Sequence, residues 1–229
     1  MKNKFFNLTT LAAVALVVVS AFSSCKKDDD IDPSGSANVK IVNASTGSTA
    51  QGFYLASKTV VQGGLTFGNA SSSYIAVNSG TNLQMQFRND GSSAAYASGS
   101  YDFDKGGYYT VFLAGDGQTA RVQVYKDDLA APSNGKAKVK FVHLSDAAAA
   151  NVDIRKSSGD NLAVNLARNS SSNYVELEPG VLSLQVFATG QSTSLGNFDL
   201  TAFAAGKIYT VYITGSTTAT VSVRQVVHN

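Results

Sequence analysis

The sequence predicts an all-β chain built as two tandem antiparallel β-sandwich domains, and three observations predict it. Twenty Gly, three Pro, ten Tyr and twelve Phe in 229 residues, with abundant Ser, Thr and Val, favour short strands joined by small-residue turns. The apolar period is two: Leu83, Met85 and Phe87 alternate with Gln84 and Gln86, as Leu182, Leu184 and Val186 alternate with Ser183 and Gln185. The chain also repeats itself, since Val39-Lys-Ile-Val-Asn43 lies 100 positions before Val139-Lys-Phe-Val-His143. A repeat this long marks tandem domains, because solenoid units run about 20–50 residues.

The amino terminus comes first in the chain and reads as an address. Lys2 and Lys4 precede an apolar run, Leu11 to Phe22, broken only by Ser20. The run is too short for a spanning helix, which needs about 20 apolar residues, so residues 1–24 are predicted to be a signal peptide. Cys25 is the sole cysteine, so no disulfide within the chain can form, and it sits where the small residues end the apolar run. Phe22-Ser23-Ser24-Cys25 resembles a bacterial lipobox, with Phe22 in place of the usual leucine. The resemblance implies lipidation at Cys25, and several acyl chains on one residue would hold the protein on a membrane. The next residues, Lys26, Lys27, Asp28, Asp29 and Asp30, resemble the export signal of outer-membrane lipoproteins of the Bacteroidota group, which implies an anchored protein facing the cell exterior. Residues 25–37, which run on through Ile31-Asp-Pro-Ser-Gly-Ser36, are expected to be a lipidated flexible tether. Loss of Lys2 and Lys4 with the signal lowers the formal charge from +2 to 0, which removes any electrostatic footprint for nucleic acid.

Copy one is expected over 38–129 and copy two over 137–229, with a proline-bearing linker at 130–136. Ser71-Ser-Ser-Tyr-Ile75 matches Ser171-Ser-Asn-Tyr-Val175, and Tyr109-Thr-Val111 matches Tyr209-Thr-Val211, at the same spacing of 100. Near the end, Thr119–Val124 reads best against Thr218–Val223, a slip to 99. Tyr109–Leu113 and Tyr209–Ile213 are bulky on both faces, as strands covered on both sides would be. Each is followed by a turn and a partner strand, Val122 and Val124 or Val221 and Val223. About seven short strands per copy, with turns at about ten-residue spacing, is the pattern of an immunoglobulin-like or transthyretin-like sandwich. The alanines 147–150 allow one helical turn.

Copy two carries Lys138-Val-Lys-Phe-Val-His-Leu-Ser145, Val152-Asp-Ile154, Tyr174-Val-Glu-Leu-Glu-Pro-Gly180 and Ala205-Gly-Lys-Ile-Tyr-Thr-Val211. With these segments it resembles bacterial domain-of-unknown-function family 4397, and copy one does so more weakly. Asp146 follows Ser145 where the family has proline, and Asn43 replaces His143 in copy one. The resemblance implies secretion and a tandem arrangement, and no activity.

Several residues are candidates for chemistry. His143, Ser145 and Asp146 or Asp153 could begin a hydrolytic triad, but copy one has Asn43, Ser45 and Thr46 in the first three places, which predicts a polar strand-end group instead. Asp102 and Asp104 before Gly106 imitate the opening of a calcium loop whose closing acid is missing. Glu176 and Glu178, the only glutamates, share one short strand, a poor arrangement for carboxylates that must flank a glycosidic bond. No metal, cofactor or catalytic residue is therefore predicted. Seven of the ten tyrosines lie in copy one, and Tyr54, Tyr96 and Tyr108 are the candidate ligand contacts. The sequence thus predicts a non-catalytic cell-surface lipoprotein, a binding or structural module whose partner is a polysaccharide or a surface protein. Its narrower alternatives are a carbohydrate-binding accessory lipoprotein of a glycan-uptake system and an adhesion or envelope-assembly subunit.

Overall fold

The structure is a computed structural model and describes residues 29–229. The signal peptide, Cys25, Lys26, Lys27 and Asp28 lie outside the described residues. Copy one contains β1 (Asp30–Asn43), β2 (Gln51–Leu55), β3 (Lys58–Leu65), β4 (Ile75–Asn89), β5 (Ala95–Phe103), β6 (Tyr108–Ala114) and β7 (Arg121–Lys126). Copy two contains β8 (Ala137–His143), β9 (Asn151–Lys156), β10 (Asn161–Ala167), β11 (Val175–Leu177), β12 (Gly180–Ala188), β13 (Ser194–Phe203), β14 (Ile208–Thr214) and β15 (Ser222–Val227). The chain is all-β, with sheets packed face to face as in β-sandwiches.

Copy two is divided into two four-stranded sheets, β10-β9-β12-β13 and β11-β8-β14-β15. Copy one has the same parts joined, in the order β3-β2-β4-β1-β6-β7 with β5 also on β4. The difference comes from one crossing point. In copy one β4 pairs with β1 through Thr81 and with β2 and β5 beyond it, so a single long strand serves both sheets. Gly80 makes the bend at φ +155°, where a Cβ would strike the carbonyl oxygen of Asp30. Copy two has Pro179-Gly180 at the equivalent place, and proline cannot donate to the ladder, so the strand is cut into β11 and β12.

Two pairings depart from the expected antiparallel design: β1 runs parallel to β6 and β8 parallel to β14. A parallel pair needs a long crossover, which the intervening strands of each copy supply. Each copy has its own core. Val39, Ile41, Phe53, Leu83, Phe87 and Val111 are buried in the first, and Val139, Phe141, Ile154, Leu184, Val211 and Ile213 in the second.

A third apolar cluster joins the copies. Alternation sends Val42 of β1 and Phe112 of β6 away from their own core, and Val142 of β8 and Tyr212 of β14 likewise. These residues meet with Leu144, Tyr125 and Val226, and the rings of Phe112 and Tyr212 lie 5.2 Å apart, edge to face. The bulky residues on both faces of β6 and β14 are thus explained: one face lines the copy's own core and the other the seam. Thr214 Oγ1 donates across it to the Ala44 carbonyl at 2.5 Å.

The structure corrects three expectations. Residues 30–37 of the expected tether belong to β1, with Asp30 opposite Thr81, a bulge between Asp32 and Ser36, and Ile31 packed against the first core. The strand accepts this polar segment because the free edge of β4 offers backbone partners, and Asp29 accepts a bond from the Gln84 amide at 2.5 Å. The alanines 147–150 form no helical turn. Their backbone groups are taken by side chains: Ser145 Oγ accepts from Ala148 N at 3.1 Å, Arg168 donates to the Ala148 carbonyl at 2.8 Å and His143 to that of Ala149 at 2.8 Å. The slip to 99 near the end is instead 101, because Thr110 faces Tyr125 and Thr210 faces Val226. A shift of two residues leaves every side chain on the same face, so the alternation alone could not tell the registers apart.

Candidate functional site

The seam ends in a buried polar cluster assembled from both copies. Lys40 and Lys140 hold equivalent positions in β1 and β8 and point to the seam face, opposite to Val39 and Ile41 or Val139 and Phe141. Tyr74 and Tyr174 follow the repeated serine-rich loops. Asp127 and His228 follow β7 and β15, each fixed by its amide donating to the start of the neighbouring strand, at Tyr108 and Ile208.

Asp127 is the centre. One of its oxygens accepts from Lys140 Nζ at 2.8 Å and the other from Thr110 Oγ1 at 2.6 Å and Tyr74 OH at 2.8 Å. The Lys140–Asp127 pair is almost wholly out of water, with side-chain exposures of 3% and 0%. His228 uses both ring nitrogens, Nδ1 towards Tyr74 OH and Nε2 towards Thr210 Oγ1, each at 2.8 Å. Burial depresses its pKa to about 4, against the pull of Asp127 and with the help of both lysines, so the ring is neutral at physiological pH. Burial also lowers Lys40, an effect that Asp127 partly offsets. Burial pushes the Tyr74 hydroxyl far up, and the Asp127 charge adds to the shift. A cleft of about 430 Å³ opens on this cluster, lined by Asn38, Lys40, Tyr74, Tyr108, His228 and Asn229, with Ser72 and Ser73 at its side.

The far end of the seam is tied by Asp116. It accepts from Ser45, Thr46 and the Gly47 amide at 2.5, 2.6 and 2.8 Å, and from Ser216 of copy two at 2.6 Å. Burial raises its pKa, but these four bonds to the charged form outweigh burial and hold the carboxyl below its ordinary value. Arg121 crosses the same seam to Asp146 at 3.0 Å, the Leu144 carbonyl at 3.0 Å and Asn169 at 2.8 Å.

The three candidate tyrosines are not brought together. Tyr54 lies on the outer face of β2, with the Arg88 guanidinium 4.1 Å over its ring and Gln86 bonded to the same guanidinium at 2.6 Å. Tyr96 packs against the first core and accepts a bond from the Gly117 amide at 3.1 Å. Tyr108 is 37% exposed at the mouth of the cleft, edge to face with Tyr74 at 5.1 Å. Of the export-signal residues, Asp29 and Asp30 fall at the start of the fold, as described above.

The candidate catalytic and metal-binding residues are absorbed into the scaffold. His143 is fully buried, and its Nε2 donates to the Ala149 carbonyl, while Asn43 donates to that of Leu65 at 2.9 Å. Ser145 Oγ donates to the Gly215 carbonyl at 2.9 Å, and Asp153 accepts from the Asn165 amide at 2.9 Å. Asp102 accepts from the Asn82 amide at 2.6 Å, and Asp104 pairs with Lys126 at 2.7 Å. Glu176 accepts from the Ser133 amide at 2.7 Å, and Glu178 pairs with Lys136.

The sequence reading missed Lys40, Lys140, Tyr74, Tyr174, Asp127 and His228 as a group. A signal was present, because both copies keep a lysine amid apolar residues of a core strand and a tyrosine 34 positions later. Asp127 and His228 carried none, since their equivalence depends on the corrected register.

A repeated β-sandwich scaffold, closed along an apolar seam with a polar cleft at one end, is the class of protein that this fold and site define. The chain belongs to the family DUF4397, a domain of unknown function, whose sequence profile matches residues 37–155. The match takes in copy one from its core strand onward and continues through β8 and most of β9, rather than centring on copy two. No curated protein sequence matches the chain. Among solved structures, a family CBM26 module of Eubacterium rectale in complex with maltoheptaose is 11% identical, covering 81% of this chain and 95% of the module at a TM-score of 0.29. A Bacteroides uniformis protein assigned to cell adhesion is 12% identical, covering 85% of this chain and 99% of its own at a TM-score of 0.27.

Proposed function

We propose that this chain is a non-catalytic binding module of the bacterial cell surface, made of two immunoglobulin-like or transthyretin-like sandwich domains divided at 130–136. In this reading residues 1–24 are removed, Cys25 is acylated, and Lys26 to Asp30 direct the protein to the outer face of the outer membrane. The observation that carries it is the closed seam. β1 from Val39 onward, β6 from Tyr109 onward, β8 and β14 are buried on both faces, and the polar residues at strand ends, His143 and Ser145 among them, are used to hold loops in place. Such a scaffold presents surfaces at fixed separation and leaves its outer sheets for contact.

The outer face of β2, β4 and β5 suits a polysaccharide partner. Tyr54, Gln86 and Arg88 form one bonded group there, beside exposed Ser98 and Ser100, and amides, hydroxyls and a guanidinium-backed ring match the hydroxyls and faces of sugars. Screening the purified protein against glycans and host matrix proteins, beside a Tyr54→Ala variant, tests this. Glycan binding lost in the variant supports the reading, and equal binding by both forms removes this face from it. The anchor is tested separately. Cys25→Ala should move the protein from the membrane to the soluble fraction, and resistance to protease on intact cells would overturn the outward orientation.

A further inference from the structure

In the polar cluster the two copies contribute the same residues, Lys40 and Lys140, Tyr74 and Tyr174, Thr110 and Thr210, and the correspondence fails at one place. Lys140 of copy two reaches across to the carboxylate of Asp127 in copy one. The corresponding lysine, Lys40 of copy one, faces copy two where the residue equivalent to Asp127 is His228. A neutral imidazole cannot balance an ammonium. The cluster therefore holds two lysines and one carboxylate, and among the described residues no carboxylate lies within 4.0 Å of Lys40. Lys40 is only 4% exposed, and among the described residues its ammonium has one long hydrogen bond, 3.4 Å to the Ser72 carbonyl, and the Tyr74 ring at 5.7 Å. It also lines the cleft.

We infer that this cleft is a binding site for a carboxylate-bearing sugar, a uronate, whose carboxylate takes the place at Lys40 that Asp127 takes at Lys140. The charge calls for an anion, and the pairing at Lys140 shows that a carboxylate fits this geometry between copies. The rest of the wall selects a sugar. Tyr108, exposed at the mouth, presents its ring to a sugar face, Asn38 offers an amide for hydroxyls, and about 430 Å³ lies within the about 300–1,000 Å³ usual for small-molecule sites. His228, bonded to Tyr74 at the cleft wall, reports on occupancy. This site is separate from the Tyr54 face, so either can fail alone.

Sodium galacturonate and trigalacturonate are titrated into the purified protein, with galactose as the neutral control, by calorimetry and by the imidazole NMR signals of His228. The galacturonates should bind at least about tenfold more tightly than galactose, as expected when a charge-assisted bond is lost, and should shift the His228 signals. Lys40→Met should weaken galacturonate binding by a similar factor, and Lys40→Arg should retain most of it. Tyr54→Ala should leave this binding unchanged, which separates it from the proposed polysaccharide face. Equal affinity for galactose and galacturonate, unshifted His228 signals in the wild type, or unaltered binding by a folded Lys40→Met variant would each overturn the site. Capture of acidic peptide with no galacturonate binding would also overturn it.

Discussion

Asp127 and His228 stand at corresponding positions of the two copies and meet at the seam, with His228 Nε2 3.9 Å from Asp127 Oδ1 and both side chains fully buried. One sequence position, filled once by an acid and once by an imidazole, gives an otherwise matched polar cluster one lysine paired with a carboxylate and one without.

Asp127→Asn is expected to destabilise the protein by about 3–5 kcal/mol, because it leaves the ammonium of Lys140 buried without its partner. The double variant Asp127→Asn/Lys140→Met should recover a large part of that loss. Urea unfolding of the four forms gives the coupling directly, and additive losses would show that the pair is not coupled.

Stability should rise with pH between about 4 and 6.5. His228 has a folded pKa of about 4 against an ordinary 6.5, so in this window the unfolded chain binds a proton that the folded one does not. The contribution is complete above 6.5, amounts to about 3 kcal/mol, and is lost as pH falls towards 4. A second loss follows at lower pH. The lowered carboxyl of Asp116 stabilises the fold above its ordinary value of 3.8, and that stability disappears as pH falls through the folded value. Chemical denaturation across this range should show the first slope flattened in His228→Asn and the second in Asp116→Asn.

The seam should respond oppositely to two aromatic changes. Phe112→Ala empties the centre of the third cluster and should cost about 3–5 kcal/mol. Tyr212→Phe keeps the ring but removes a buried hydroxyl that has no partner among the described residues, and should raise stability by about 1 kcal/mol. Thermal and urea midpoints of both variants check this.

His143→Ala should behave as a structural change. The Ala149 carbonyl loses its donor, so about 1–2 kcal/mol of stability should be lost. His143→Asn, which copies the residue of copy one, should lose less. Hydrolytic turnover in the wild type that His143→Ala abolished without loss of stability would contradict the scaffold role.

Much of the fold was legible along the chain. Leu83, Met85 and Phe87 declared a strand with one buried face, and the spacing of 100 declared two copies, because alternation and repetition are local or self-referential signals. The double-sided burial of Tyr109–Leu113 was legible too. Its cause was not, since the covering residues Tyr212, Val142 and Leu144 lie in the other copy. The expected tether failed at Asp30–Ala37 because pairing with β4 outweighed a composition that favours a loop.

The candidate site was less legible for the same reason. By itself the sequence determined an all-β chain, its duplication and a lone Cys25 at the end of an apolar run. Only the tertiary structure decided that the outer faces of the two copies close on each other, that Lys140 meets Asp127, and that Lys40 and His228 line one cleft. A strand's period states which residues share a face, whereas the partner of that face, and the balance of charge within it, exist only once distant strands are packed together.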